Sequence, residues 1–452
     1  MSDSIPKIVI VGAGFGGLAA AKALHKTPAQ IVLVDRSNHH LFQPLLYQVA
    51  ISVLSPSQIA SPIREVVRGQ KNTTVLLTEV TDIDKTERCV IARGDGIDSL
   101  KLPYDYLILA TGASHNYFGH QEFEQFAPGL KSLADAVAIR NKILNAFERA
   151  EAESDLSLHR DLLTFVLIGG GPTGVELAGA MAGLIRGTLR SDFRRIDPAS
   201  ARIVLIDAGK RVLGTFSEGI SGAAMKRLQK LGVEVRLGHP VDHIDEDGVV
   251  VNGDRVASKT VIWTAGVTPS PAGKWLAVQT DRAGRVQVQP NLTVPGHPEI
   301  FVIGDTASLE QDGHPLPGVA QVAMQQGRYV GRLLHRLITD RPPPRPFHYF
   351  DKGNMAVVGK GFAVLQSGPV RISGLIAWFV WASIHLRYLA QRGLRISVGL
   401  QWLWLLITGK RGSRLIVNDH GSNHRDHSPA DGSEERSGRS ISIEAKPNYV
   451  KV

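Results

Sequence analysis

The sequence predicts an α/β fold with two Rossmann-like dinucleotide-binding domains and a C-terminal membrane-anchoring region. The first part of this prediction rests on two segments that place a glycine-rich loop between a β-branched run and a helical pattern, KIVIVGAGFGGLAAA and FVLIGGGPTGVELAG. The number of residues between them is about the length of one nucleotide-binding half of such a fold. The second part rests on a Trp- and Arg-rich stretch near the C-terminus that contains neither Asp nor Glu.

The first unit has the order strand, glycine loop, helix, strand, acid. We expect strands at Lys7–Val11 and Ile31–Val34, separated by a helix at Gly17–Leu24. The second strand ends at Asp35, which follows Gly12 by about 20 residues. Rossmann units place an acid at this distance to bond a ribose hydroxyl.

The second unit repeats this order, with expected strands at Leu163–Ile168 and Arg202–Asp207. The acid Asp207 favours the free 2′-hydroxyl of NAD and repels the 2′-phosphate of NADP. Lys210 and Arg211 follow within one turn and weaken this inference, unless they are ordinary surface charges. We therefore expect NADH rather than NADPH in the second unit.

Both glycine loops have the spacing G-x-G-x-x-G. The first glycine allows the tight turn, the second lets the backbone reach a pyrophosphate, and the third allows close packing of helix on strand. The following helix adds N–H donors and the positive end of its dipole. Two such sites suggest two dinucleotides, most simply FAD and a nicotinamide. The glycines are Gly12, Gly14 and Gly17 in the first loop and Gly169, Gly171 and Gly174 in the second.

Acidic and amide residues near these loops are candidates for chemistry. Ile300–Asp305 predicts a buried strand whose final acid faces the ligand crevice, where it could bond a ribityl hydroxyl or cap a short helix. Glu176 lies just inside the second glycine helix, so the helix dipole explains it as well as a catalytic role does. Gln321 and Gln325 share one face of a helix expected after Gly318. They could bond flavin or acceptor carbonyls, although spacing alone favours a polar helix face.

The C-terminal region differs from the rest of the chain. Ala134–Glu153 predicts a polar connecting helix between the units, and Arg341–Pro346 (RPPPRP) predicts a stiff break. Beyond the break the longest uncharged stretch, Ile372–Leu386, is shorter than the ~20 residues that span a bilayer. We expect two helices in the membrane interface, with Trp and Leu inward and Arg at the headgroups. A Trp-rich core helix pair or a dimer interface is the alternative. The tryptophans concerned are Trp378, Trp381, Trp402 and Trp404.

Composition limits the classes of function. The 452 residues suggest two or three domains, and the single cysteine, Cys89, excludes a redox disulfide within the chain. A net charge of +9 favours an acidic partner or an anionic lipid surface over nucleic acid, since no nucleic-acid-binding motif is apparent in the sequence. No signal peptide is visible. We expect residues 415–452 to be disordered and their histidines, His420, His424 and His427, to be solvated rather than metal ligands.

Together these segments resemble the type II NADH:quinone oxidoreductases, monotopic flavoenzymes of respiratory chains. The resemblance covers nearly everything before the tail. Besides the glycine loops it rests on VDRSNHHLFQPLLYQVA, ATGASHNYFG, IWTAGV, IFVIGD, the AQ-x-A-x-QQ stretch, FDKGNMAVVGK and the Trp-rich C-terminal helices. The chain departs from the family at Val53, where a glycine is expected, and at Asp207, where Glu is common.

The resemblance implies roles for the matching positions. FAD would contact Gly12, Gly14, Gly17, Asp35, Arg36, Val80, Ala110, Gly112, Gly304, Asp305 and Ala320. NADH would contact Gly169, Gly171, Gly174, Glu176 and Asp207. The flavin and quinone would lie near Glu176, Gln321, Gln325 and Lys352. No metal site is implied.

The resemblance also implies an activity. We expect FAD-dependent oxidation of NADH with electron transfer to a membrane quinone, without proton pumping. The protein would act at the cytoplasmic face of the plasma membrane, and a homodimer is possible. The expected domains are 1–120 with 285–340 for non-covalent FAD, 160–284 for NADH and 346–414 for the membrane. The alternatives are an NADH-responsive flavoprotein sensor or a reductase of another acceptor. A sulfide:quinone oxidoreductase would need several cysteines.

Overall fold

The computed structural model describes residues 5–409 and 412–417. Its largest sheet has six strands, of which five are parallel and the edge strand Thr293–Val294 is antiparallel. The central strands Tyr106–Leu109 and Lys7–Val11 are apolar and mostly buried, as expected for parallel strands that are covered on both faces. In spatial order the strands are Thr293–Val294, His297–Val302, Tyr106–Leu109, Lys7–Val11, Gln30–Asp35 and Thr73–Leu77.

A second parallel sheet of four strands lies in the middle of the chain. Its order is Val233–Leu237, Arg202–Asp207, Thr164–Ile168 and Thr260–Trp263. Each unit also carries a three-stranded antiparallel sheet. These two sheets are Glu79–Asp84, Cys89–Gly94 and Ile97–Pro103, and Val241–Asp245, Gly248–Val251 and Asp254–Ala257. The expected pair of Rossmann-like units is therefore confirmed.

The helices connect and cover these sheets. We call Phe15–Ala23 the first glycine helix, Pro172–Gly183 the second glycine helix, Ala320–Ile338 the glutamine helix, and Leu375–Tyr388 with Arg392–Thr408 the two Trp helices. The remaining longer helices are Leu133–Ala152, Leu156–Leu162 and Glu218–Lys230. Short helices occupy Leu46–Ala50, Pro56–Ile59, Ile63–Val66 and Ala272–Leu276.

Close backbone contact joins the glutamine helix to the first glycine helix. A Cβ placed at Gly327 would lie 2.1 Å from the Gly16 carbonyl oxygen, and one at Gly331 would lie 2.5 Å from the Ala23 Cβ. Only glycine allows this approach. The glutamine helix is thereby fixed against the loop that opens the first unit.

A third three-stranded antiparallel sheet, formed by Asn354–Val357, Ala363–Ser367 and Val370–Gly374, leads into the Trp helices. Its first turn packs on the second glycine helix, since a Cβ at Gly179 would lie 2.6 Å from the Gly359 nitrogen. In the described part of the chain, no helix combines the length and the apolar character needed to cross a membrane.

Two expectations about helices were wrong. The helix Leu133–Ala152 connects the two units as expected, but it is not polar on all sides, because one face carries Ile139, Ile143 and Phe147 into the largest core. Of the four C-terminal tryptophans, three are buried in that same core, so they do not face a membrane as expected. These are Trp378, Trp381 and Trp402, whereas Trp404 is 55% exposed. The alternative of a Trp-rich core helix pair is correct for these three rings.

The start of the expected tail lies against the protein. Residues 412–417 form neither a helix nor a strand, and Asn141 bonds both the carbonyl oxygen and the nitrogen of Val417, at 2.6 and 3.3 Å. The other tail positions, including His420, His424 and His427, lie outside the described residues. Within the described ranges, no group of three His, Cys, Asp or Glu side chains could hold a metal ion.

Candidate active site

The first glycine loop is shaped by contacts at its outer two glycines. Gly12 has a φ of +97°, and a Cβ there would lie 2.3 Å from the Ala110 carbonyl oxygen. A Cβ at Gly17 would lie 1.8 Å from the Gly12 carbonyl oxygen. Gly14 differs, because its φ is ordinary and no protein atom lies within 4 Å of a Cβ there. The protein itself does not require a glycine at this position, whereas a ligand against the backbone would.

The second loop repeats these features. Gly169 has a φ of +114°, and a Cβ there would lie 2.7 Å from the Ala265 nitrogen. A Cβ at Gly174 would lie 1.8 Å from the Gly169 carbonyl oxygen, and Gly171 again has open space beyond it. Both loops therefore fit a dinucleotide whose pyrophosphate approaches the middle glycine and the helix N-terminus.

Each loop is tied to the acid that ends the second strand of its unit. Asp35 accepts hydrogen bonds from the Ala13 nitrogen at 2.6 Å and the Ser37 nitrogen at 2.7 Å. Asp207 accepts the equivalent bonds from the Gly170 nitrogen at 2.5 Å and the Gly209 nitrogen at 2.6 Å. Burial raises the pKa of Asp35, although the two N–H donors oppose this change. Both carboxylates thus hold the loop and stand beside the space where a ribose would lie.

Of the two basic residues that follow Asp207, Arg211 has partners close to it in the chain. The Arg211 guanidinium donates to the Gly214 carbonyl oxygen at 3.0 Å and forms an exposed ion pair with Glu218 at 3.4 Å. It behaves as a surface charge with local partners. This geometry favours the interpretation of Arg211 as an ordinary surface charge.

Asp305 follows the strand His297–Val302 of the six-stranded sheet. It lies inside the turn Gly304–Thr306, whose N-cap is Ile303, so it does not cap this turn. Its carboxylate accepts no hydrogen bond from the described residues. Burial raises the pKa of this carboxyl. A partly buried carboxylate without donors fits a ligand hydroxyl as its partner. Gly112, at the end of the neighbouring strand, has a φ of +66° and nothing within 4 Å of a Cβ.

The sequence did not identify Gln326, which is the amide closest to this turn. Its side-chain oxygen accepts from the Gly304 nitrogen at 2.6 Å, and the residue is 1% exposed. The adjacent pair of glutamines in the sequence was the available signal. Because Gln326 lies on the buried side of the glutamine helix, it fixes the turn that carries Asp305.

Gln321 and Gln325 both bind the backbone that follows the Pro-rich break. The Gln321 amide nitrogen donates to the Gly353 carbonyl oxygen at 2.8 Å. Gln325 makes two bonds to Phe350, from its amide nitrogen to the carbonyl oxygen at 2.9 Å and from the Phe350 nitrogen to its oxygen at 3.1 Å. These glutamines are therefore not a merely solvated face. The buried Gln321 oxygen has no hydrogen-bond partner among the described residues, which fits a donor on a bound flavin or acceptor.

Glu176 is the most strongly perturbed carboxyl of the site. It is 8% exposed, and its single hydrogen bond is from the Val357 nitrogen at 3.2 Å. Burial raises its pKa to about 8, opposed by that N–H group. The side chain lies between the second glycine helix and the C-terminal sheet, so it does not cap the helix. It is mostly protonated at neutral pH and can give or take a proton there.

The remaining expected contacts are distributed around this centre. The Lys352 ammonium donates to the Tyr388 hydroxyl at 3.1 Å and lies over that ring, which connects the site to the first Trp helix. Val80 is buried in the strand Glu79–Asp84, Ala110 follows the strand Tyr106–Leu109, and Arg36 is exposed. Ala320 is the first residue of the glutamine helix.

These features define a protein that binds two dinucleotides at matching loops. The family described as pyridine nucleotide-disulphide oxidoreductase matches residues 6–327. Cys89, the single cysteine, is buried in an antiparallel strand, so this chain cannot form an internal redox disulfide.

Sequence comparison narrows the class. The chain is 45% identical to the type II NADH:quinone oxidoreductase Ndh of Mycobacterium tuberculosis, over 91% of this chain and 90% of that protein. It is 41% identical to NdhA of the same organism, over 91% and 89%. The chain belongs to the type II NADH:quinone oxidoreductases.

Structural comparison agrees on the fold. NDH2 from Plasmodium falciparum, solved in complex with NADH, superposes with a TM-score of 0.82 at 20% identity, covering 92% of this chain and all of the solved chain. The sulfide:quinone oxidoreductase of Aquifex aeolicus matches with a TM-score of 0.67 at 18% identity, over 86% and 91%. At these identities the matches show shared architecture alone.

Proposed function

We propose that this chain oxidises NADH through non-covalently bound FAD and passes the electrons to a membrane quinone, without pumping protons. The observation that carries the proposal is the pair of matching loops, each with an open middle glycine and an acid bonded to the loop backbone. The name of its 45% identical relative supports the same activity.

We assign FAD to the unit formed by residues 1–120 and 285–340. Gly12, Gly14 and Gly17 would receive its pyrophosphate, and Asp35 its ribose. Asp305 would bond the ribityl chain, held in place by the Gln326–Gly304 bond. The remaining contacts in this assignment are Arg36, Val80, Ala110, Gly112, Gly304 and Ala320.

We assign NADH to residues 160–284. Gly169, Gly171 and Gly174 would approach its pyrophosphate, and Asp207 would accept from the free 2′-hydroxyl of its ribose. The flavin supplies two-electron chemistry between the nicotinamide and the quinone. The chain's own residues bind, orient and manage protons around that chemistry.

Glu176 would supply the proton for quinone reduction. Its carboxyl is buried and mostly protonated at neutral pH, so a proton is available without a path from bulk water at the moment of reaction. Gln321 and Gln325 fix the loop Phe350–Gly353, and the buried Gln321 oxygen, which has no hydrogen-bond partner among the described residues, would accept from a bound group. Lys352, which belongs to that loop, would orient the electron acceptor.

The membrane face would consist of the outer surface of the Trp helices within residues 346–414. Large apolar side chains there are more than half exposed and recur at helical spacing in the second helix. They are Ile376, Phe379, Ile396, Leu400, Trp404 and Ile407. We propose peripheral attachment at the cytoplasmic face of the plasma membrane, aided by anionic lipid and the net charge of +9. A homodimer is part of the same proposal.

Steady-state oxidation of NADH by a short-chain quinone tests the proposal, using detergent-purified yellow protein with NADPH in parallel. We expect quinone-dependent oxidation of NADH and little oxidation of NADPH. Glu176→Gln should slow turnover while FAD stays bound. Unchanged turnover would show that Glu176 has no part in the mechanism. Absence of quinone reduction would show that quinone is not the electron acceptor.

A further inference from the structure

Phe118 is a large apolar side chain that the fold holds at the surface in an uncommon backbone conformation. The residue is 63% exposed, and its φ of +53° lies in the left-handed region that bulky residues rarely adopt. Its nitrogen donates to the Asn116 side-chain oxygen at 2.8 Å, and the Asn116 carbonyl oxygen accepts from the Trp263 indole nitrogen at 3.0 Å. The surrounding chain therefore fixes a strained residue whose ring gains little from burial, which is typical of a ligand-contact position.

The Phe118 ring lies beside the second glycine loop. A Cβ at Gly266 would lie 2.5 Å from the Phe118 Cζ, so the ring rests directly on that glycine. Gly266 follows Ala265, whose nitrogen would lie 2.7 Å from a Cβ at Gly169. Only two residues therefore separate the exposed ring from the first glycine of the loop.

The strand order indicates which half of the dinucleotide would pass the ring. The strand that leads into the loop lies between the strand that ends in Asp207 and the strand Thr260–Trp263. Asp207 marks the adenosine side, since it would accept from that ribose. Phe118 lies on the opposite side, where Ala113–His115 of the FAD unit pairs with Val267–Pro269. This is the side on which the nicotinamide would reach the flavin.

We infer that Phe118 contacts the nicotinamide ring of NADH and holds it toward the flavin. This inference rests on the proposed function for the identity of both groups. A flat apolar side chain suits the flat nicotinamide ring, and Val267, which is 47% exposed and adjoins Gly266, extends the apolar surface. Bound nicotinamide would bury the Phe118 ring, which supplies the gain that folding alone does not provide.

The test compares Phe118→Gly and Phe118→Tyr with a matched control, Asn252→Gly. Glycine adopts the left-handed backbone without strain, so Phe118→Gly removes the ring and keeps the local conformation. Asn252 has a φ of +51° at an exposed position of the same nucleotide unit. The rate of anaerobic flavin reduction against NADH concentration gives the Kd for NADH in the FAD-loaded protein. Competition by ADP-ribose, which lacks the nicotinamide, gives the Kd for the rest of the dinucleotide.

We expect Phe118→Gly to raise the Kd for NADH about tenfold and to leave the Kd for ADP-ribose unchanged. Phe118→Tyr, which keeps the ring, and Asn252→Gly should both retain the parent values. An unchanged Kd for NADH in Phe118→Gly overturns the inference. Equal weakening of NADH and ADP-ribose also overturns it, because the substitution would then have distorted the loop in general. A parent protein whose flavin NADH does not reduce would overturn the proposed function instead.

Discussion

The buried carboxyl of Glu176 predicts that a single amide substitution stabilises the fold in a pH-dependent way. Glu176→Gln removes the ionisable group but keeps an oxygen that can accept from the Val357 nitrogen. The pKa of Glu176 is about 8 in the folded protein, against an ordinary value of 4.5. Between these values the unfolded chain has released its proton while the folded chain retains it. The free energy of unfolding therefore falls as pH rises through this window.

The magnitude follows from the width of the window. Each pKa unit corresponds to about 1.4 kcal/mol, so the folded state loses about 1 kcal/mol at pH 5 and about 4 kcal/mol at pH 8 through this group. Glutamine does not ionise and avoids this loss. The stability advantage of Glu176→Gln should increase by about 3 kcal/mol over that range, which is a large fraction of ordinary protein stability. Sites shaped for proton transfer commonly sacrifice stability in this manner.

Thermal unfolding of the FAD-bound protein between pH 5 and pH 8 measures the effect. We expect the Tm of Glu176→Gln to exceed that of the parent by a margin that widens to several degrees as pH rises. Glu148→Gln is the matched control, because Glu148 is exposed and its replacement removes the same formal charge. A Tm difference that stays constant with pH, or that Glu148→Gln reproduces, would refute the reasoning.

Three further predictions concern binding, acid stability and the membrane. Gly14→Val should abolish FAD retention while the protein stays folded, because no protein atom lies within 4 Å of the new Cβ. Gly171→Val should instead keep FAD and raise the KM for NADH. Flavin absorbance at 450 nm measures FAD retention, and steady-state kinetics measure the KM. Burial alone would raise the pKa of Asp135, but bonds from His115 and from the N–H groups of Ser132 and Lys131 hold it at about 2. About 1–2 kcal/mol of stability should therefore be lost as pH falls from about 4 to 2, and Asp135→Asn should lack this acid-induced decline in Tm. Trp404→Ser should weaken co-sedimentation with anionic liposomes by about tenfold, since its ring is 55% exposed, whereas Leu156→Ser, at a 75% exposed site in the nucleotide half, should not.

The parts of the fold that the sequence predicted are those set by local pattern. Strands such as Lys7–Val11 and Arg202–Asp207 were predicted with their observed bounds, because short apolar runs before a glycine loop have few other structures. The glycines of both loops were predicted for the same reason. At the outer two glycines of each loop the local backbone geometry determines the residue, whereas the middle glycine has open space beyond it.

Features that depend on tertiary contact could not be predicted in the same way. The rings of Trp381 and Trp402 pack 5.0 Å apart inside the largest core, and no pattern within either Trp helix separates that from a membrane-facing position. The role of Gln326 was missed because its partner, Gly304, is distant in the sequence.

The burial of Glu176 illustrates the limit most clearly. From sequence, a helix dipole and a catalytic role explained it equally well. The structure places it against the C-terminal sheet, where it is 8% exposed and accepts a hydrogen bond from the Val357 nitrogen. That contact joins segments far apart in the chain, so the pKa change has no local signal.

The most direct test of the account is anaerobic stopped-flow absorbance of the bound flavin, first mixed with NADH and then with a short-chain quinone. The account predicts rapid loss of the oxidised flavin band with NADH, much slower loss with NADPH, and rapid return of the band when quinone is added. Flavin that NADH reduces but quinone does not reoxidise would contradict the central claim and indicate another acceptor or a sensing role.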